Sequence, residues 1–140
     1  GQTASGETEI LEFGGYKEGY AYKLTKFELF PGVGIGSSAS EYVATITAGK
    51  TAIAPTDPNF NNEALIASSL LVNHYDVYRN TQGLTVINDT FLITQNLILM
   101  VQDTFGNSNP CNWQCRFKAV KMTDAAAAVQ NFKQFSIFDE

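Results

Sequence analysis

Charge is what this 140-residue chain has least of: Asp, Glu, Lys and Arg make up 16% of it. A lone protein surface normally carries more, roughly 25–35%. Nine Lys and Arg against fourteen Asp and Glu leave a net charge of −5. That balance argues against wrapping a phosphate backbone, which requires clustered basic residues. There is one histidine, His74, and there are two cysteines, Cys111 and Cys115. A zinc site needs more ligands than these three supply. On a strand, Cys111 and Cys115 share a face with Cα atoms about 13 Å apart, too far for a disulfide. Free thiols, and folding in a reducing compartment, are the expectation. No apolar run reaches the roughly 18–20 residues of a membrane span; the longest, Phe91 to Val101, is broken by Thr94, Gln95 and Asn96. No basic start leads into an apolar block, so no signal segment is read.

Catalytic patterns are missing as well. Gly-x-Ser-x-Gly, His-Glu-x-x-His and Walker spacings do not occur, and His74 has no recognisable nucleophile or acid beside it. A structural histidine on a strand is the expectation. The fourteen acids offer many pairs, but none is marked out by local sequence for glycoside hydrolysis. The chain is read as a non-enzyme without a cofactor.

What is present is apolar and aromatic: 44% of residues are hydrophobic and 12% aromatic, enough to exclude a disordered tail. For 140 residues, area scaling buries about two-thirds of the unfolded surface, an ordinary core for one domain. Most of the pattern has period two, the mark of half-buried strands. Cys111, Trp113, Cys115, Phe117 and Ala119 fall on one face; Asn112, Gln114, Arg116 and Lys118 fall on the other. Tyr42, Ala44 and Ile46 likewise oppose Thr45 and Thr47. Tyr20, Tyr22 and Leu24 share one parity and Phe27 and Leu29 the other, which places a β-bulge near Thr25. Pro31-Gly32 ends that strand.

Ala64 to Leu71 has the look of a helical turn and Val72 to Tyr78 that of a strand. Thr81-Gln82-Gly83 reads as a turn. Leu84 to Ile87 and Phe91 to Asp103 read as strands rich in β-branched and aromatic residues. The second of these is apolar on both faces, as in a central strand or one covered by a neighbouring subunit. Thr123 is a good N-cap and Asp124 suits the first turn of a short helix near 123–133. The apolar tail from Phe135 to Phe138 follows it.

About seven or eight strands and one short C-terminal helix predict an all-β fold, an antiparallel β-sandwich. A jelly-roll-like wind is the first choice and an immunoglobulin-like one the second. Residues 1–15 are expected to form a flexible arm and residues 16–140 a single sandwich domain.

Several local patterns could carry chemistry. Oxygen side chains at Asp57, Asn59 and Asn61 resemble the opening of a calcium loop. Asn62 stands where that loop needs Gly and Ser68 where it needs Glu, so an Asx-rich turn is the better account. Asn88-Asp89-Thr90 matches a glycosylation acceptor by chance pattern. Tyr16, Tyr20, Tyr22, Tyr75 and Tyr78 could stack on sugars, although cross-strand packing explains them as well. Arg116, Lys118 and Lys121 form the one basic cluster, suited to an acidic protein neighbour.

Four stretches, taken together, resemble small β-rich structural proteins of tailed-bacteriophage virions, the capsid-decorating or cement kind. These are Lys23 to Pro31, Tyr42 to Gly49, the run Ile87 to Leu97, and Ala119 to Thr123 before a helix; the likeness spans residues 20–125. It implies a non-enzymatic protein of the virion, assembled in the host cytoplasm, that fastens neighbouring subunits of a major capsid protein. Such proteins are homo-oligomers, often trimers. Arg116, Lys118, Phe135 and Phe138 are the candidate contact residues. A carbohydrate- or receptor-binding sandwich of a tail or cell surface is the alternative.

Overall fold

The computed structural model describes residues 1–13, 19–74 and 80–122, without the side chains of His74 and of residues 80–82. Eight strands run through it: β1 (Gln2–Thr3), β2 (Thr8–Leu11), β3 (Tyr20–Pro31), β4 (Ser40–Ala48), β5 (Leu65–His74), β6 (Asn80–Ile87), β7 (Leu97–Asp103) and β8 (Cys111–Lys121). They form two antiparallel sheets, ordered β1-β8-β3 and β2-β7-β4-β5-β6. The first strand pairs with the last, the second with the seventh and the fourth with the fifth. That nesting follows a jelly-roll wind and not the immunoglobulin order. β6 departs from it, pairing with β5 instead of completing the smaller sheet beside β3.

The alternating residues do what their parity demands. Tyr42, Ala44, Ile46 and Ala48 of β4 stand opposite Asp103, Val101, Leu99 and Leu97 of β7 and turn inward, nearly without exposure. Leu24 and Phe27 of β3 meet them from the other sheet. Two inward-facing residues of unequal parity on one strand require an extra residue between them. The register shift between Leu24 and Lys26 supplies it, and the hydroxyl of unpaired Thr25 donates to the Arg116 carbonyl at 3.2 Å. At one end of the core Phe13 packs on Tyr22 and edge-on to Phe117, with ring centroids 5.3 and 4.9 Å away.

Four expectations need correction. The first eleven residues are not a free arm: β1 pairs with β8 and β2 with β7. Trp113 Nε1 donates to Thr3 Oγ1 at 2.9 Å, and the Ser5 hydroxyl accepts from the Asp103 amide at 2.8 Å. The segment is too short for a strong pattern, and the neighbouring strands provide its hydrogen bonds. Ala64 to Leu71 makes no helical turn, because from Leu65 onward β5 is paired with β4 on one side, and from Ala67 with β6 on the other. Thr81-Gln82-Gly83 is no turn either; it pairs with Asn73, Val72 and Leu71 inside β6. Finally, β7 begins at Leu97 and not at Phe91. Ile93 of the preceding connection bridges to Tyr22, and the Asn96 carboxamide accepts the Phe13 amide at 2.7 Å. The helix expected at 123–133 lies outside the described residues, as do Tyr16, Tyr75, Tyr78, Phe135 and Phe138.

Candidate functional site

The two sheets present outer faces of opposite character. On the five-stranded sheet, strand register places Val43, Leu70 and Leu84 in one row across β4, β5 and β6, and Met100, Thr45, Ser68 and Val86 in the next. Ile98 and Ile10 extend the face across β7 to β2. Leu70 is 37%, Leu84 68%, Val86 44% and Ile10 62% exposed. Glu41 is the one charged side chain that register places on this face among the described residues. β6 lies at the sheet edge and has neither charge nor proline, the usual guards of an edge strand. Part of the face is roofed by the chain after β4. The buried Thr45 hydroxyl donates to the Ile53 carbonyl at 2.6 Å, and the Ile53 amide donates to Thr47 Oγ1 at 3.2 Å.

On the three-stranded sheet the outer face is basic. Lys23 stands directly opposite Lys118, and Lys26 opposite Arg116. The expected pair Arg116 and Lys118 is thus exposed on the wet face, and the fold adds two lysines that the linear sequence keeps remote. Lys26 Nζ reaches Glu28 at 2.7 Å, both half-exposed. Such a surface pair contributes little to stability, and the face stays cationic. Lys121, third member of the basic cluster, pairs with Tyr20 one strand end away.

The sandwich end that carries the β3–β4 and β7–β8 connections is tied together by Asp103. Its carboxylate accepts the amides of Glu41 (3.1 Å), Phe105 (3.1 Å) and Asn109 (3.0 Å). Asn109 in turn donates to Ser40 Oγ at 2.9 Å, and Asn107 to the Ala39 carbonyl at 2.7 Å. Every described bond of this cluster goes to neighbouring backbone or side chains, so it braces loops. Burial raises the Tyr42 hydroxyl above its ordinary pKa, opposed in part by Ser40 and the Gly32 backbone.

At the opposite end, the loop before β5 and the turn after β6 enclose a cleft of about 370 Å³. Phe60, Asn61, Asn62, Glu63 and Asn88 line it, over apolar ground that includes Ile87 and Phe91. Asn59 Oδ1 accepts the Asn61 amide at 3.0 Å and Asn62 Oδ1 the Ala64 amide at 3.0 Å. The candidate calcium segment therefore folds as Asx turns, with the Asn59 oxygen engaged and Asn61 directed to the cleft lining. Among the described residues no group of three His, Cys, Asp or Glu comes together. Asn88 accepts both the amide and the hydroxyl of Thr90, at 3.2 and 2.7 Å. Asn and Phe in a loop gave no motif by spacing; the cleft exists because β5 and β6 bring residues 60–63 and 88 to one end.

The remaining candidates separate. Of the five candidate tyrosines, Tyr22 belongs to the aromatic packing with Phe13 and Tyr20 begins β3 opposite Lys121, while Tyr16, Tyr75 and Tyr78 lie outside the described residues. His74 takes part through its backbone as the end of β5, opposite Asn80. Cys111 and Cys115 face the core side of β8 as free thiols, opposite Pro31 and Phe27. Burial pushes both thiols up to about 12, far from the reactive thiolate range. No helix among the described residues is long and apolar enough to cross a membrane. Compared with family models, curated proteins and solved structures, the chain finds no match.

Proposed function

We propose that this protein is a non-enzymatic structural component of a virion, a decoration or cement protein that binds and stabilises neighbouring capsid subunits. The observation that carries the reading is the outer face of the five-stranded sheet, where Leu70 and Leu84 stand side by side on adjacent strands in a nearly charge-free surface. Contiguous exposed apolar surface of this kind marks protein contact sites, whose cores are depleted of charge. The jelly-roll-like wind, common among capsid and lectin domains, is compatible with the role but does not by itself assign one. The basic face around Arg116 and Lys118 supplies the complementary contact, to an acidic patch of a major capsid protein or of a second copy. Docking through repeated weak faces gains its strength from the lattice, because each further contact is made at high effective concentration.

The test is sedimentation. The purified chain is expected to form a homo-oligomer, a trimer in the simplest case, and to pellet with purified capsids. Leu84→Glu, at an exposed position, is expected to keep the thermal stability and to lose the pelleting. A chain that stays monomeric and remains in the supernatant overturns the reading.

A further inference from the structure

We propose that the cleft between residues 60–63 and 88 is a binding site for an uncharged sugar ring, with Phe60 as its stacking platform. Three observations converge on that chemistry. First, Phe60 is 65% exposed although it is a large aromatic beside an apolar floor. A ring held at the rim of a cleft presents its electron-rich face to solvent. The C–H bonds on one side of a pyranose are the neutral partner that suits it.

Second, the polar groups are of the kind that grip hydroxyls. Asn62 and Asn88 each have their carboxamide oxygen engaged by backbone, through Ala64 and Thr90 respectively. These bonds fix the two side chains and leave each Nδ2 as a donor. Asn61 adds a complete carboxamide, and Glu63 a carboxylate acceptor. Neighbouring donors and acceptors of this sort match vicinal hydroxyls, each of which both gives and takes a hydrogen bond. A volume of about 370 Å³ falls in the small-molecule range, roughly 300–1,000 Å³, at its lower end.

Third, electrostatics narrows the class. Glu63 is the one charged side chain in the lining, and neither Lys nor Arg is there. An anion such as a phosphate, a sulfate or an acidic sugar would meet a carboxylate with no counter-charge. Among the described residues, Lys23, Lys26, Arg116, Lys118 and Lys121 lie on β3 and β8 in the other sheet, and Lys50 lines the neighbouring hollow beside Asn62 and not this cleft. A neutral glycan is the ligand that remains. The cleft adjoins the sheet face that carries Leu70 and Leu84, sharing Ser68 and Val86 with it, but Phe60, Asn61 and Leu84 are not shared, and the site does not rest on the lattice-binding reading.

The probes are a glycan array for breadth, followed by ligand-observed NMR with methyl glycosides of glucose, galactose, mannose and N-acetylglucosamine. At least one neutral saccharide is expected to bind, with a Kd on the order of 1 mM for a single ring in so small a contact. Phe60→Ala is expected to weaken it tenfold or more and Asn61→Ala several-fold, with unchanged thermal unfolding. Glu63→Gln is expected to keep neutral binding within a few-fold. Leu84→Glu is expected to leave sugar binding intact, which separates failure here from failure of the lattice reading. An array silent for neutral glycans, binding undiminished in Phe60→Ala, or a preference for sulfated or sialylated probes overturns the proposal.

Discussion

Single residues in this fold are constrained most where backbones approach. Gly32 donates to the Pro110 carbonyl at 3.1 Å, and a Cβ built there would lie 2.3 Å from that same oxygen. Neither partner is the end of a flexible side chain, so the strand end must shift. Gly32→Ala is expected to destabilise by about 1–3 kcal/mol, the usual cost of overpacking, read from urea unfolding. The two thiols make a different statement. Their folded-state values near 12 lie above the ordinary 9, so the native state holds them neutral while the unfolded chain ionises first. Their contribution is complete below pH 9 and is lost as pH rises from 9 towards 12. Unfolding measured across that range is expected to show falling stability, with Tyr42 adding to the slope and a Cys111→Ala, Cys115→Ala double variant flattening it. In the native state alkylation at pH 8 is expected to be slow, and fast once urea is added.

Pairing decides the behaviour of whole elements. β3 and β8 oppose Lys23 to Lys118 and Lys26 to Arg116, and like charges directly across a sheet repel. Lys118→Glu is expected to stabilise the isolated chain by a few tenths of a kcal/mol at low salt, an effect that fades as salt is added. The same change is expected to weaken capsid pelleting, because it removes charge from the face proposed to meet an acidic partner. On the other sheet Thr45 and Thr47 hold Ile53 and the chain around it against β4. Thr45→Val leaves the Ile53 carbonyl without this donor. It is expected to cost about 1–3 kcal/mol, measured by thermal unfolding, and to speed amide exchange around Ile53.

Much of the fold was legible in single elements. The parity of Cys111 to Ala119 assigns a wet and a dry face that the strand keeps as far as Phe117, Ala119 being exposed, and the phase change across Tyr20 to Leu29 locates the bulge at Thr25. These succeed because a half-buried strand writes its two faces directly into alternate positions. Thr81-Gln82-Gly83 misled because turn-forming residues are tolerated inside a strand when β5 supplies the ladder. Gln2–Thr3 and Thr8–Leu11 escaped notice because strands of two and four residues carry almost no periodicity. The cleft was equally hidden: its loop reads as an Asx-rich turn, and nothing in that run says that Asn88 lies across from it.

At the scale of the molecule, the sandwich has one dry interior and two outer faces with different partners in prospect, one apolar and one cationic. Composition alone had shown a chain short of charge. The wind of the strands concentrates that shortage on one sheet, across β2, β7, β4, β5 and β6, and gathers the basic residues Lys23, Lys26, Arg116 and Lys118 on the other. By itself the sequence determined the class of fold, the strand faces, the bulge and the free thiols. Each is a matter of local alternation or of residue count. Only the tertiary structure decided that the N-terminal segment is paired, that four cations form one face, and that Phe60 and Asn88 share a cleft. Those depend on which strands lie side by side, and strand order is set by long-range pairing that no local pattern encodes.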